Sequence, residues 1–256
     1  MNNYIVSLTT IPTKFDNLHL TIDSIISQTI LPSKIVVNIP NMYNFRMNGC
    51  TISESKISDF MSKYSGFNVF INRIDEDYGP GTKLLGLLNS SYITNIDISN
   101  TYIILIDDDL IYKPYMIEHF DKIIHLYNNI EVCSYFVYNC YNSRIGQGSD
   151  GFLMKLNLLD NFVRYYNVIK HEDYLKYHDD FYISYYFNLI SKTIQYIKPP
   201  NNCLIYDTHP NTFVDALSRI NWQYSRHNLN LKSNEIFTKL NSNGKFRFLD
   251  IENIQN

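Results

Sequence analysis

Through the first half of the chain, short runs of β-branched and apolar residues alternate with longer segments of helical periodicity, and few folds accept that order. Residues 4–8 (YIVSL) read as a buried strand. Asp16 is placed to cap a helix in which Leu18, Ile22, Ile25 and Ile26 share one face. Residues 34–39 form a second strand closed by Pro40, and Ser53 and Glu54 open a helix carrying Ile57, Phe60 and Met61. Residues 67–71 are a third strand. Gly79, Pro80 and Gly81 make a turn before a helix over 82–88. Residues 102–106 (YIILI) are an entirely apolar strand, Pro114 suits the first position of the next helix, and further strands are expected over 131–138 and 152–154. This order predicts an α/β domain with a mostly parallel central sheet and helices on both faces. No repeat, low-complexity tract or linker interrupts it. One domain is expected over 1–220. The polar stretch 221–256 is expected to be an extension that packs on the domain or on a partner subunit.

Ligands of such sheets bind beyond the carboxyl ends of the strands. The strand over 102–106 ends there in Asp107, Asp108 and Asp109. Adjacent carboxylates repel, and a hard divalent ion such as Mg²⁺ or Mn²⁺ relieves this with oxygen ligands while bridging phosphate oxygens. Extended geometry would turn Asp107 and Asp109 to one side and Asp108 away. The alternative is a solvated acidic turn at the start of the Pro114 helix.

Composition removes several classes. The formal net charge is -3 with no basic stripe, so a nucleic-acid partner is unsupported. Cys50, Cys133, Cys140 and Cys203 lack the spacing of a zinc or redox pair and read as free thiols in a reducing compartment. The amino-terminal residues show no signal peptide or anchor, and no apolar run approaches the roughly 20 residues that span a bilayer. A cytoplasmic location is the expectation. Over-use of Asn and Ile reflects AT-rich codons, pointing to an AT-rich microbe or a large virus.

Four ordered segments resemble the GT-A fold glycosyltransferases of the broad family-2-like group. They are VSLTTIP with the helix LHLTIDSIISQT, GPGTKLLG after Asp77 and Tyr78, ILIDDDLIY as the D-x-D strand, and HDDFYISYYF over 178–187 as the x-E-D region. The resemblance runs from Ile5 to about His209. It implies a Rossmann-like GT-A domain using Mn²⁺ or Mg²⁺ and a nucleotide sugar, UDP-sugar favoured, to glycosylate a hydroxyl on a glycan, protein or small molecule. It puts Asp109 on the metal, with Asp107 on the nucleotide or in the metal shell and Asp108 beside them. His209 is implied as a late metal ligand, with His227 a weaker substitute. Asp180 is the implied base of an inverting transfer, with Asp179 as runner-up. Thr9, Thr10 and Pro12 fall where this fold meets the nucleobase, Lys83 where a helix start faces the nucleotide, and Gly148 and Gly151 in the sugar loop.

Two departures bear on this. The matched triplet, His178-Asp179-Asp180, has Asp where the family has Glu, one methylene shorter. The second strand ends in Asn38-Ile39-Pro40-Asn41, where many relatives carry an acid that grips the base. The rival readings are a metal-dependent nucleotidyltransferase, which would release pyrophosphate, and a non-catalytic sugar-binding relative. A homodimer is left open.

Overall fold

The computed structural model of the chain describes residues 2–45, 47–127, 130–141, 143–209 and 226–250. Its strands are β1 (Asn3–Thr9), β2 (Lys34–Pro40), β3 (Val69–Ile74), β4 (Thr101–Leu105), β5 (Leu110–Tyr112), β6 (Val132–Ser134), β7 (Val137–Cys140), β8 (Ser143–Gly146), β9 (Phe152–Lys155), β10 (Gln195–Tyr196) and β11 (Tyr206–Thr208). The helices are α1 (Leu18–Ile26), α2 (Glu54–Lys63), α3 (Thr82–Leu88), α4 (Met116–Leu126), α5 (Phe162–Ile169), α6 (Asp179–Leu189), α7 (Arg226–Ser242) and α8 (Arg247–Asp250). A seven-stranded sheet runs β10-β6-β9-β4-β1-β2-β3. Every pairing in it is parallel except the two made by β9. Two small antiparallel pairs, β5 with β11 and β7 with β8, stand beside it.

The alternation of side chains along the strands divides the core into two layers. Val6, Leu8, Val37 and Ile104 face Leu18 and Ile22 of α1, Phe60 of α2 and Phe120 of α4. Ile5, Val36, Ile103 and Leu105 face Leu84 and Leu87 of α3, Phe162 of α5 and Phe181 of α6. Ile103 and Ile104 are both fully buried, one in each layer. Truncating either to Ala would cost about 2–5 kcal/mol. The expected α/β architecture, mostly parallel with helices on both faces, is therefore the one observed.

Local expectations need correction. Asp16 caps no helix: a 3-10 turn occupies Phe15–Asn17, α1 starts at Leu18, and the Asp16 carboxylate takes the Lys56 ammonium instead. Ser53 does cap α2, accepting from Lys56 N. The third strand begins two residues late, at Val69, because Phe67 is turned out to solvent. The run 131–138 is not one strand. The chain leaves the sheet after Ser134 so that the Tyr135 hydroxyl can donate to Met116 O under α4, and a hairpin starts at Val137. Pro114 precedes α4, which begins at Met116.

In α7, the fully buried Phe237 stacks on Tyr185 of α6 at 4.1 Å between ring centres. The expected boundary at 220/221 lies outside the described residues, as does the side chain of His227. No helix among the described residues is long and apolar enough to cross a membrane.

Candidate active site

The carboxyl ends of β1, β2, β3 and β4 share one edge of the sheet. The reversed strand β9 begins there, so the residues preceding it arrive at the same edge. Three segments distant in sequence therefore meet: the turn after β1, the acids after β4 and the glycine-bearing run before β9. The amino terminus of α6 completes the group.

The strand ends at Leu105, so two-residue alternation does not carry through the acids. Asp107 turns to Lys83, with Oδ1 at 2.7 Å from Nζ. Asp109 turns to Lys14, with Oδ2 at 2.6 Å from Nζ, and Asp108 Oδ1 lies 3.8 Å from that ammonium. Asp108 thus shares a cation with Asp109 instead of facing away. The backbone is fixed from two sides. Thr21 Oγ1 lies within hydrogen-bond distance of Asp108 O and Leu110 O. Asp107 N donates to the Tyr112 hydroxyl, which donates to Ser149 O and so ties the acids to the glycine run.

Lys83 is the junction of the site. It sits near the start of α3, and its side chain is only 5% exposed. Besides Asp107 it faces Asp179 Oδ2 at 3.2 Å, an ion pair without hydrogen-bond alignment. Its carbonyl accepts from Ser7 Oγ and Asn38 Nδ2. Asn72 Nδ2 in turn reaches Asn38 Oδ1 and Gly86 O. At the end of β2 the Asn38 and Asn72 amides thus form a network that anchors α3. Burial disfavours the Lys83 charge, but Asp107, Asp179 and Asp180 outweigh it and hold the ammonium protonated well above the ordinary lysine range.

Asp180 Oδ1 accepts from Gly148 N at 2.9 Å. A β-carbon on Gly148 would lie 3.1 Å from Lys83 Nζ, a crowded contact, and 3.4 Å from Asp180 Oδ1, so a side chain there would press on the lysine ammonium. Gly81 is far more constrained: a β-carbon there would come within 1.6 Å of the Tyr182 hydroxyl on α6. α6 is held from behind by His178, whose Nδ1 lies 3.2 Å from Ser233 Oγ of α7, and by Ser184 Oγ, which accepts from Gly146 N.

Negative charge is in excess, since Lys14 and Lys83 face Asp107, Asp108, Asp109, Asp179 and Asp180. Burial, then Asp108 and Asp107, push Asp109 up to about 7. Burial, then Asp179, push Asp180 up to about 7 as well. Asp108 is also raised, chiefly by burial. The donors suit a hard divalent ion in kind, and Asp108 Oδ2 is buried with the Thr10 hydroxyl beside the carboxylate but no aligned hydrogen bond. Among the described residues, however, no three His, Cys, Asp or Glu side chains converge as a ligand set.

The remaining expected residues fall into place as follows. β11 pairs with β5 so that Thr208 opposes Leu110, which brings His209 to the region of Asp109. Its Nε2 lies 3.0 Å from Asn17 O, a carbonyl that only accepts, so this nitrogen carries a proton. Thr9 spends its hydroxyl on Asn38 O. Thr10 is buried, its carbonyl accepting from the Tyr43 hydroxyl, and Pro12 opens the turn that carries Lys14. Gly151 stands apart from the acids: its α-carbon faces Phe120 and Met116. Sequence reasoning missed Lys14 and Tyr112. A lone lysine in a turn and a tyrosine in a short strand carry no periodic signal. Beside the site, a cavity of about 470 Å³ is lined by Phe45, Asp77, Asp173, Tyr174, Lys176 and Tyr177, immediately before His178.

No family model matches the sequence, and no curated protein does. Solved structures do match. The S. aureus TarS 1-349 structure in complex with UDP superposes with a TM-score of 0.52 at 14% identity, over 80% of this chain and 59% of that one. The mannosyltransferase PcManGT from Pyrobaculum calidifontis, in complex with GDP-Man and Mn²⁺, gives 0.44 at 12% identity over 62% and 46%. The 2-C-methyl-D-erythritol 4-phosphate cytidylyltransferase of Francisella tularensis gives 0.40 at 13% identity over 80% and 94%. The chain spans about half to three fifths of the length of the TarS 1-349 structures. At these identities the likeness is one of fold, and the fold is a GT-A-like α/β domain.

Proposed function

We propose that the chain is a metal-dependent glycosyltransferase that moves a sugar from a nucleoside diphosphate sugar, UDP-sugar favoured, onto a hydroxyl acceptor with inversion. The observation that carries this reading is the convergence of two acid groups, some seventy residues apart in sequence, on the single ammonium of Lys83. One group leaves the end of a parallel strand, where such sheets bind nucleotides. The other opens a helix and faces the same space.

In this reading Asp109 and Asp107 would hold the ion, with His209 as the nitrogen ligand and Asp108 beside them. A bound Mn²⁺ or Mg²⁺ supplies Lewis-acid stabilisation of the departing diphosphate. Asp180 is the base: its carboxyl, raised to about 7, is matched to accepting a hydroxyl proton near neutrality. Asp179 is engaged by Lys83 and acts as its positioning partner. Gly148 N holds Asp180 through one oxygen, which leaves the other to the acceptor. Thr9, Thr10 and Pro12 border the base, and the cavity lined by Phe45, Tyr174 and Tyr177 receives the acceptor.

A thermal-shift screen of nucleotide sugars with and without Mn²⁺ tests the reading, since a ligand of the folded state raises its melting temperature. A UDP-sugar should stabilise the protein only with the ion, and Asp109→Asn should abolish both the shift and transfer. Asp180→Asn should lower kcat by about 10²–10⁴-fold with the fold intact, and more than Asp179→Asn does. Undiminished transfer by Asp109→Asn, or pyrophosphate release from a nucleoside triphosphate instead of sugar transfer, would refute the proposal.

A further inference from the structure

We propose that Lys14 is a resident counter-cation: its ammonium occupies Asp109, with Asp108 beside it, until a divalent ion takes Asp109, so the two cations exclude each other. The inference rests on the metal-dependent reading above and adds to it a residue that governs access of the ion.

Lys14 has the geometry of a displaceable group. Its backbone is pinned in the turn after β1, where Lys14 N and Phe15 N both donate to Ile11 O and the Phe15 ring is buried. Only the flexible four-carbon stem reaches inward, and the ammonium at its end is a compact point charge that can withdraw without moving the fold. Nζ lies 2.6 Å from Asp109 Oδ2 and 3.8 Å from Asp108 Oδ1, with the side chains of Lys14 and both acids only 11% exposed. The contact is shielded from solvent, so it is neither a loose surface pair nor a locked one.

The ammonium is also an incomplete answer to the charge it faces. It brings one positive charge to two carboxylates, and Asp108, which also has the Thr10 hydroxyl beside it, keeps Oδ2 buried without an aligned hydrogen bond. A hard divalent ion held by Asp109 and Asp107 would bring the second positive charge that this group of acids lacks. Such an ion and the Lys14 ammonium on the same oxygens would repel strongly in a site this buried. Ion entry therefore requires Lys14 to leave, and ion loss lets it return, so the turn after β1 never faces bare carboxylates.

The test is a Mn²⁺ titration of the nucleotide-free protein, read by the electron paramagnetic resonance of free ion. It compares the wild type with Lys14→Met, Lys14→Arg, Asp109→Asn and the surface variant Lys122→Met on α4, whose ammonium pairs with Glu118. Lys14→Met should bind Mn²⁺ at least about ten-fold more tightly than the wild type, since the ion no longer displaces a cation. Lys122→Met should match the wild type, Lys14→Arg, which keeps the charge, should bind no more tightly than the wild type, and Asp109→Asn should lose the site. A second measurement needs no variant: Mn²⁺ should increase acetic anhydride labelling of Lys14 in the wild type, read by peptide mass spectrometry. Unchanged or weaker binding by Lys14→Met, or labelling that Mn²⁺ leaves unchanged or lowers, overturns the inference. If Asp109→Asn still abolishes binding in that case, the metal-dependent reading stands and only the role of Lys14 falls. If no protein binds Mn²⁺ even with UDP present, the metal-dependent reading falls and takes the inference with it.

Discussion

The two lysines of the site look alike in distance and differ in what surrounds them. Lys83 emerges from a helix, is buried to its tip, and joins an acid after β4 to an acid at the start of α6. Lys14 emerges from a turn and meets only the acids after β4. An ammonium that links two separate elements is part of the architecture. One that sits on a single group of acids is a local neutraliser that another cation can replace. Similar ion-pair lengths therefore say little about how a charge is used, and the number of independent elements it connects says more.

The sharpest way to break the comparison is Lys83→Met. Removing the ammonium leaves Asp107 and Asp179 facing each other without a counter-charge, and losing one partner of a buried ion pair costs about 3–5 kcal/mol. Denaturant unfolding should show a loss of that order together with loss of transfer, while Lys14→Met should leave most of the stability. Equal losses from the two variants would erase the distinction. A smaller intrusion at the same end is Gly148→Ala. The added methyl would press on Lys83 Nζ and Asp180 Oδ1. Turnover should fall by more than about ten-fold with only a modest change in melting temperature, because the strain falls on groups held in working geometry.

The last comparison concerns pH and reports on the Lys14 end. Asp109 and Asp180 are raised from 3.8 to about 7, Asp109 in spite of Lys14. The folded, ion-free protein therefore keeps protons that the unfolded chain releases near 4, and its stability falls as pH rises from about 4 to about 7. Melting curves across that range should decline, Mn²⁺ should flatten the decline, and Lys14→Met should extend it to higher pH. A stability that rises across the window would contradict the raised carboxyl affinities.

How much of this could be read beforehand depended on what each feature leaves in the sequence. β1, β2 and β4 were legible because burial on both faces demands continuous apolar runs, and Asp107 to Asp109 because acids ending such a run are conspicuous. The break at Ser134 was not. Tyr135 and Phe136 extend the apolar run, and only the packing of Tyr135 beneath α4 ends the strand. The misread cap at Asp16 has the same origin: a lysine from another element, Lys56, outbid the helix for the carboxylate. Which cation each acid would meet lay beyond reach, since Lys14 and Asp109 are ninety-five residues apart and nothing local marks them as neighbours.

The reversal of β9 has a consequence for economy of means. The segments that leave the sheet at this edge bring their charges to the site through side chains, as Asp107 and Asp109 do. The stretch before β9 travels the other way and enters the core at Phe152 with its backbone already exposed to the charged groups. A main-chain amide, at Gly148, can then do what would otherwise need a further polar side chain. Because that amide has no rotamer to lose, its grip on Asp180 comes without the disorder that a longer arm would bring.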